Sequence, residues 1–376
     1  MPTRLIINAT ILNQSHLTGL GVYTASLLPP LLRLVVDDGK FAQVVIAGDP
    51  ERMHRALGAV ADHPKIQFRD LSTEHPIYRL IALDRLAISE RQQSGDAVFY
   101  SPTHHGVVRR GLTQVITVHD LFARIFPHNY RQQHYYFRWY LPKVMAKSSR
   151  VIVDSASTAE DLLRYYPNSP PAVVVHAAVR SDLSATSPKE IPSLAGQSFF
   201  LFIGPSFWYK NCVRLIDAFA SYCRSASGKL VFVGGRGSYV GELGRHLRAR
   251  HAQLTDDVIF LDYVGVSELV WLYRNATALM LTTLYEGFGL PALEAMANGC
   301  PVIASRAGSL PEVCGEAARY VDPEDVSQIC HAMQEIAKDS PARQRLISAG
   351  NENMKKFSWE TSARKVHQVL MSCLRT

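Results

Sequence analysis

Residues 284–296 read Leu284-Tyr285-Glu286-Gly287-Phe288-Gly289-Leu290-Pro291-Ala292-Leu293-Glu294-Ala295-Met296. The apolar run 278–281 just before this stretch reads as a strand. Gly287 and Gly289 then permit close backbone approach to a ligand. Pro291 suits the first turn of a helix. Amide N–H groups point outward at such a helix start and favour phosphate or sugar oxygens. Two carboxylates, Glu286 and Glu294, bracket the turn.

Strand, glycine turn and helix in that order recur along the chain. Residues 5–9, 44–47, 97–100, 115–118, 151–153 and 172–175 are mainly apolar rather than alternating, as strands of a parallel sheet covered on both faces should be. A second series follows at 199–203, 229–233, 258–261, 278–281, 302–304 and 318–321. Helical patterns lie between them, for example at 213–225 and 267–275. Two successive β/α alternations predict two doubly wound, Rossmann-like α/β domains. Residues 181–196 are rich in Ser, Pro and Gly and read as the linker. The expected division is therefore 1–185 and 186–357, with a last helix from 358. Ser-x-x-Glu boxes at Ser157–Glu160 and Ser309–Glu312 predict helix caps.

The 376 residues suit two domains at about 150 each. With 47% hydrophobic residues the chain has material for two cores, which excludes a disordered chain or a small disulfide scaffold. No run of 18 apolar residues is present, and Pro29, Pro30 and Arg33 interrupt the best stretch, so no transmembrane helix is expected. The N-terminus reads as a first strand and not as an export signal. The six cysteines form no Cys-x-x-Cys pair, so reduced thiols in a cytoplasmic protein are expected, and no metal site. Of the net charge of +7, residues 1–185 carry +5. No acidic residue lies between Asp120 and Asp154. That interval holds Arg124, Arg131, Arg138, Lys143, Lys147 and Arg150, together with aromatic residues between Phe122 and Tyr140. Basic and aromatic residues together suit an anionic membrane surface. Nucleic acid is the weaker alternative.

Glu286-Gly-Phe-Gly-Leu-Pro-Ala-Leu-Glu294 resembles the signature of the retaining glycosyltransferases of family 4. Further segments fit the same family: Thr18-Gly19-Leu20-Gly21-Val22-Tyr23, Val118-His119-Asp120-Leu121, Val153-Asp154-Ser155-Ala156-Ser157, Ala307-Gly308-Ser309-Leu310-Pro311-Glu312 and Phe357-Ser358-Trp359-Glu360. The set is most similar to bacterial mannosyltransferases of surface-polysaccharide assembly. The resemblance implies the GT-B fold: two Rossmann-like domains facing across a cleft, with the final helix, 358–376, crossing back to the first domain. It implies transfer of an α-mannosyl group from GDP-mannose, with retention and without a metal or other cofactor, to a lipid-linked or oligosaccharide acceptor. The expected place is the inner face of the cytoplasmic membrane, with contact through residues 122–147 and no nucleic acid. A UDP-sugar donor and a non-catalytic sugar-nucleotide sensor are the alternatives.

The resemblance also assigns residues. Lys210 would stabilise the departing phosphate, with Gly204 and Asn211 beside it. Glu286 would sit by the transferred sugar with the amides of Gly287, Phe288 and Gly289. Leu290 would open the helix aimed at the phosphates, and Ser309 would lie at a second helix start. Glu294, with two acceptor oxygens for a diol, would hold the ribose. Gly19 and Gly21 would approach the diphosphate, His119 would hydrogen-bond the donor sugar, and the backbone at Tyr263 and Val264 would meet the base. The family usually places an arginine near the phosphate lysine. Here Gly204-Pro205-Ser206-Phe207-Trp208-Tyr209-Lys210 has none. A loose Gly-x-Gly pattern at Gly235-Arg236-Gly237 raises a dinucleotide oxidoreductase as a rival, but Asp256 and Asp257 precede the next strand instead of ending it.

Overall fold

The computed structural model describes residues 3–14, 17–72, 76–109, 111–235 and 237–374, so Arg236 lies outside the described residues. The chain divides into two compact units. Unit 1 is Met1–Ala178 with Ser358–Thr376, and unit 2 is Val179–Phe357. The division after Ala178 precedes the expected boundary at 185/186. The segment read as linker is partly ordered: Ser181–Ala185 is a helix that packs within unit 2 against the helix Val266–Asn275.

Unit 1 is a seven-stranded, all-parallel sheet in the order β3-β2-β1-β4-β5-β6-β7. Its strands are β1 Arg4–Asn8, β2 Gln43–Gly48, β3 Ile66–Asp70, β4 Ala97–Ser101, β5 Thr113–Val118, β6 Arg150–Val153 and β7 Ala172–Val174. Sequence reading missed β3. Ile66-Gln67-Phe68-Arg69-Asp70 alternates apolar and polar and is an edge strand, so it lacks the continuous apolar run of its neighbours. Unit 2 is a six-stranded parallel sheet in the order β10-β9-β8-β11-β12-β13. Its strands are β8 Phe199–Ile203, β9 Lys229–Val233, β10 Val258–Leu261, β11 Ala278–Leu281, β12 Val302–Ser305 and β13 Ala318–Val321. In each sheet the strand order reverses once, between β1 and β4 and between β8 and β11. Such switch points open a crevice at the carboxyl ends of the strands, where ligands of α/β sheets bind.

The helix Gly19–Asp38 runs unbroken through Pro29 and Pro30, and Gly39 ends it in the left-handed conformation. By length and composition it is the one helix among the described residues able to cross a membrane. Here it is a core helix: Tyr23, Leu27, Leu28, Leu31, Leu32 and Val35 are buried. Each proline costs about 3 kcal/mol in a helix interior. Burial of each large apolar side chain contributes about 1.5–3 kcal/mol, so this face outweighs both prolines. The final helix, Trp359–Ser372, packs on it. Ser358 caps that helix at the Thr361 amide, and Trp359 meets Tyr23 edge-on at 5.4 Å. Ser362 Oγ donates to the carbonyl of His176 at 2.6 Å, and His367 Nε2 lies 2.5 Å from Asp38 Oδ2. These contacts assign the C-terminal helix to unit 1.

The two predicted caps differ in the structure. Ser155, not Ser157, caps the helix Ala156–Tyr165, because its hydroxyl accepts from the Thr158 amide. Ser309 makes no side-chain cap; its hydroxyl serves the site described next. All six cysteines are free thiols.

Candidate active site

The crevice of unit 2 is assembled by parallel register. β8 and β11 are neighbours, with Phe200 opposite Ala278 and Leu201 opposite Leu279. The loop after β8 carries Lys210 and the loop after β11 carries Glu286. Lys210 Nζ donates to Glu286 Oε1 at 2.6 Å, with both side chains largely buried. The amide of Leu284 donates to the carbonyl of Tyr209 at 2.8 Å and ties the two loops together. The Tyr209 ring is buried, stacks on Phe207 and lies 5.4 Å from Lys210 Nζ. Position 209 is therefore a packing position beside the lysine.

β12 lies on the other side of β11, and its loop clamps the glutamate. The Ser309 amide donates to the Glu286 carbonyl at 3.0 Å. The Ser309 hydroxyl reaches the carbonyls of Glu286 and Phe288 at 3.1 and 2.8 Å. Gly308 has φ +54°, and a Cβ there would stand 2.2 Å from the Glu286 carbonyl oxygen, so only glycine allows this approach. Ser309 thus positions Glu286, and the helix it precedes, Leu310–Cys314, is a single short turn.

Gly289 leads directly into the helix Leu290–Ala297, with Pro in its first turn as expected. Gly287, Phe288 and Gly289 therefore lie between Glu286 and a helix N-terminus. Glu294 is on the buried face of that helix and accepts from the Tyr273 hydroxyl at 2.8 Å. Burial pushes its carboxyl up to about 7; Tyr273 and the Arg180 charge act against this, and Asp182 with it. Arg180 is itself paired with Asp182. Sequence reading found neither Tyr273 nor Arg180, which lie 21 and 114 positions from Glu294.

Gly204 follows β8 with φ +74° and donates its amide to the Val233 carbonyl. Asn211 is the one non-glycine residue with positive φ among the described residues. Its buried amide donates to the carbonyls of Thr282 and Pro323, and its oxygen accepts from Arg214. The side-chain amide group of Asn211 thus has protein partners at all three of its polar positions here. It anchors the Lys210 turn to the end of β11. Tyr263 and Val264 follow β10 on the surface, with the Tyr263 ring 46% exposed and close to Gly234.

In unit 1 the expected glycine loop is the first turn of the helix Gly19–Asp38. Gly21 packs on Leu17, where a Cβ would fall 2.9 Å from Leu17 Cδ2. The amides of Gly19, Leu20 and Gly21 precede the first intrahelical bond, from Val22 to Thr18. His119 and Asp154 each follow directly on paired strand ends, because Val118 of β5 lies opposite Val153 of β6. His119 Nδ1 lies 2.5 Å from Asp154 Oδ2, and Nε2 lies 2.8 Å from the Pro102 carbonyl. Both partners are acceptors, a pairing that favours the doubly protonated ring. Burial alone lowers its pKa, but the Asp154 charge and hydrogen bond and the Pro102 carbonyl raise it overall. Both ring nitrogens are therefore engaged within unit 1. Asp154 stood in a recognised motif, but its partnership with His119, 35 positions away, is visible only through strand register.

Comparison with known proteins gives this geometry a family. Residues 38–183 match the profile described as Glycosyltransferase Family 4, and residues 185–353 match Glycosyl transferases group 1. The chain is 30% identical over 295 residues to the O-antigen chain mannosyltransferase B of Escherichia coli, covering 75% of this chain and 76% of that protein. The chain belongs to glycosyltransferase family 4. This glycosyltransferase is also 28% identical over 336 residues to the O-antigen chain mannosyltransferase RfbU of Salmonella typhimurium, covering 88% of this chain and 90% of that protein. Its fold is like that of the sucrose-phosphate synthase from Thermosynechococcus elongatus, with a TM-score of 0.75 at 20% identity and 99% of each chain covered. The Anabaena protein HepE, solved in complex with UDP and glucose, gives a TM-score of 0.70 at 16% identity over 98% of this chain and 99% of that one.

The Glu294 carboxyl titrates near 7 in the folded chain against an ordinary 4.5. A raised carboxyl pKa stabilises the fold fully below the unfolded value, and that stability is lost as pH rises through the folded value. The shift corresponds to roughly 3 kcal/mol. Between pH 5 and 8, urea unfolding should show the native chain losing more stability than Glu294→Gln. Parallel pH profiles for the two proteins would contradict this assignment.

Proposed function

We propose that this glycosyltransferase moves an α-mannosyl group from GDP-mannose to a lipid-linked or polysaccharide acceptor, with retention of configuration and without a metal at the diphosphate. The Lys210–Glu286 contact at the switch point of unit 2 carries the reading of the site. The names of the two O-antigen mannosyltransferases support the sugar.

In this reading the donor diphosphate displaces Glu286 from Lys210. The ammonium then faces the phosphate, and the freed carboxylate accepts from sugar hydroxyls beside the amides of Gly287, Phe288 and Gly289. The start of the helix Leu290–Ala297 adds its dipole. Glu294 accepts from the ribose diol, and the surface at Tyr263 and Val264 meets the base. The bond from the anomeric carbon to the phosphate oxygen breaks, and its electrons leave with the diphosphate. The acceptor oxygen bonds to the same face of that carbon and gives its proton to the departing phosphate. Charge grows on the phosphate as this happens, so a preorganised cation there lowers the barrier more than it tightens binding. The resemblance assigns a sugar contact to His119, which would exchange the Pro102 carbonyl for a sugar hydroxyl at Nε2.

The place of action we propose is the inner face of the cytoplasmic membrane. Residues 131–145 run through three consecutive helical segments, the middle one, Tyr136–Tyr140, a π-turn. Phe137 and Tyr130 are core, whereas Arg131, Tyr135, Arg138, Trp139 and Lys143 are exposed. Their spacing places them along one helical face, and the Arg138 guanidinium lies over the Trp139 ring at 5.2 Å. An exposed basic and aromatic stripe suits the interface of an anionic bilayer.

Three measurements test this reading. In a sugar-nucleotide panel with EDTA present, GDP-mannose should be the donor turned over; preference for a UDP-sugar, or activity that returns only with magnesium or manganese, would contradict it. Lys210→Ala should lower turnover at saturating donor about a hundred- to a thousandfold, the typical cost of losing one aimed donor, and weaken donor binding less. Near-normal turnover would mean that the leaving group is stabilised elsewhere. Arg131→Glu, Arg138→Glu and Lys143→Glu together should weaken pelleting with anionic liposomes, with about 1 kcal/mol at stake per basic residue. Unchanged pelleting would reduce the stripe to an ordinary solvated face.

A further inference from the structure

Outside the donor loops, three metal-ligating side chains of unit 2 converge. Asp217 lies in the middle of the helix Cys212–Tyr222, His246 lies in the helix Ser238–Arg250, and His251 follows that helix directly. Asp217 Oδ1 is 2.7 Å from Nε2 of His246 and 2.7 Å from Nε2 of His251. The donor atoms of all three lie within 4.8 Å of one another, and no other such group occurs among the described residues. The two imidazole rings stand 5.8 Å apart at 68°. The side chains are 19–32% exposed, so water reaches the cluster.

Backbone geometry creates this convergence. Positions 246 and 251 are five apart, and on a continuous helix they would point about 140° from each other. The helix stops at Arg250, and His251 leaves the helical region with φ −142° and ψ 46°. That turn swings the second imidazole back to the side of the first. The helices that carry the cluster follow β8 and β9, which are adjacent in the sheet.

We propose that Asp217, His246 and His251 form a binding site for a divalent transition-metal cation of the zinc class. In the metal-free form each imidazole donates an Nε2 proton to one carboxylate oxygen. The cation takes the place of these protons, is held by the two Nε2 lone pairs and Oδ1, and releases the protons to solvent or moves them to Nδ1. Zinc bonds to imidazole nitrogen and carboxylate oxygen are about 2.0–2.2 Å. A tetrahedral set of that size separates its ligand atoms by roughly 3.4 Å, so the present contacts need open by less than about an ångström. The exposed side leaves a fourth position for water. Two imidazoles and one carboxylate favour a borderline cation. Magnesium and calcium need more oxygen ligands than this cluster has. Arg245, Arg248 and Arg250 adjoin the histidines in sequence and further disfavour a weakly bound hard cation. The metal clasps the two helices together and takes no part at the donor diphosphate.

The test uses the full chain without an affinity tag, stripped with chelator and dialysed. Zinc chloride is titrated calorimetrically, and cobalt chloride is followed by visible absorption. One equivalent should bind with a roughly micromolar dissociation constant, and cobalt should give the d–d bands of a four- or five-coordinate site. Loss of supporting residues around a metal typically costs 10- to 100-fold in affinity, so His246→Gln and His251→Gln should each cost at least about tenfold. The double variant should lose the site while its glycosyl transfer in EDTA matches the native chain. Zinc should raise the unfolding temperature of the native chain and not of the double variant. If no stoichiometric binding is found, or if the double variant binds as well as the native chain, the proposal is overturned. The cobalt spectrum of the native chain tests it even if a variant fails to fold. None of these outcomes depends on the identity of the sugar donor.

Discussion

A lysine held against a glutamate at the carboxyl edge of a parallel sheet is the constraint around which unit 2 is organised. Lys210 and Glu286 are 76 positions apart in sequence, yet they descend from neighbouring strands. A buried ion pair is a weak source of stability, since desolvation of both charges offsets much of their attraction. Its value here is geometric. Several independent backbone contacts hold the two loops: the Leu284 amide to Tyr209, the Ser309 amide and hydroxyl to Glu286, and the Asn211 side chain to Thr282. The two loops are therefore held in place by contacts that do not depend on the ion pair itself.

The same device recurs in unit 1 with other chemistry. His119 and Asp154 follow directly on two paired strands, and a carbonyl on the far side of the ring engages its second nitrogen. In each unit one charged partner comes from each of two adjacent strand ends. Parallel strands all deliver their loops to one edge, so a parallel sheet places residues side by side that are distant in the chain. An antiparallel hairpin would send alternate loops to opposite edges.

The basic segment 122–147 shows why composition needs geometry before it can be read. Its aromatic residues look uniform in sequence. The fold divides them into core residues, such as Phe137, and an exposed stripe with Tyr135 and Trp139. Helical spacing from Arg131 to Lys143 collects the bases on that same stripe. The helix Gly19–Asp38 runs the other way. By composition it resembles a membrane span, and it is instead a core helix of unit 1, packed on the C-terminal helix.

Twelve of the thirteen strands were legible in the sequence, because strands of a covered parallel sheet are mainly apolar, and the edge strand β3 escaped because its residues alternate apolar and polar. The run from Glu286 to Glu294 also declared itself, since glycines, a first-turn proline and two acids in fixed order are a local property of the backbone. The sequence alone likewise pointed to Lys210, His119 and the C-terminal helix through the family resemblance. What tertiary structure decided was partnership. Lys210 faces Glu286, Asp154 raises the pKa of His119, burial raises that of Glu294 against the Tyr273 hydrogen bond, Asn211 anchors the Lys210 turn, and Ser309 clamps a carbonyl instead of capping a helix. None of these pairings is local, and strand register and burial, which set them, exist only once the sheet has formed.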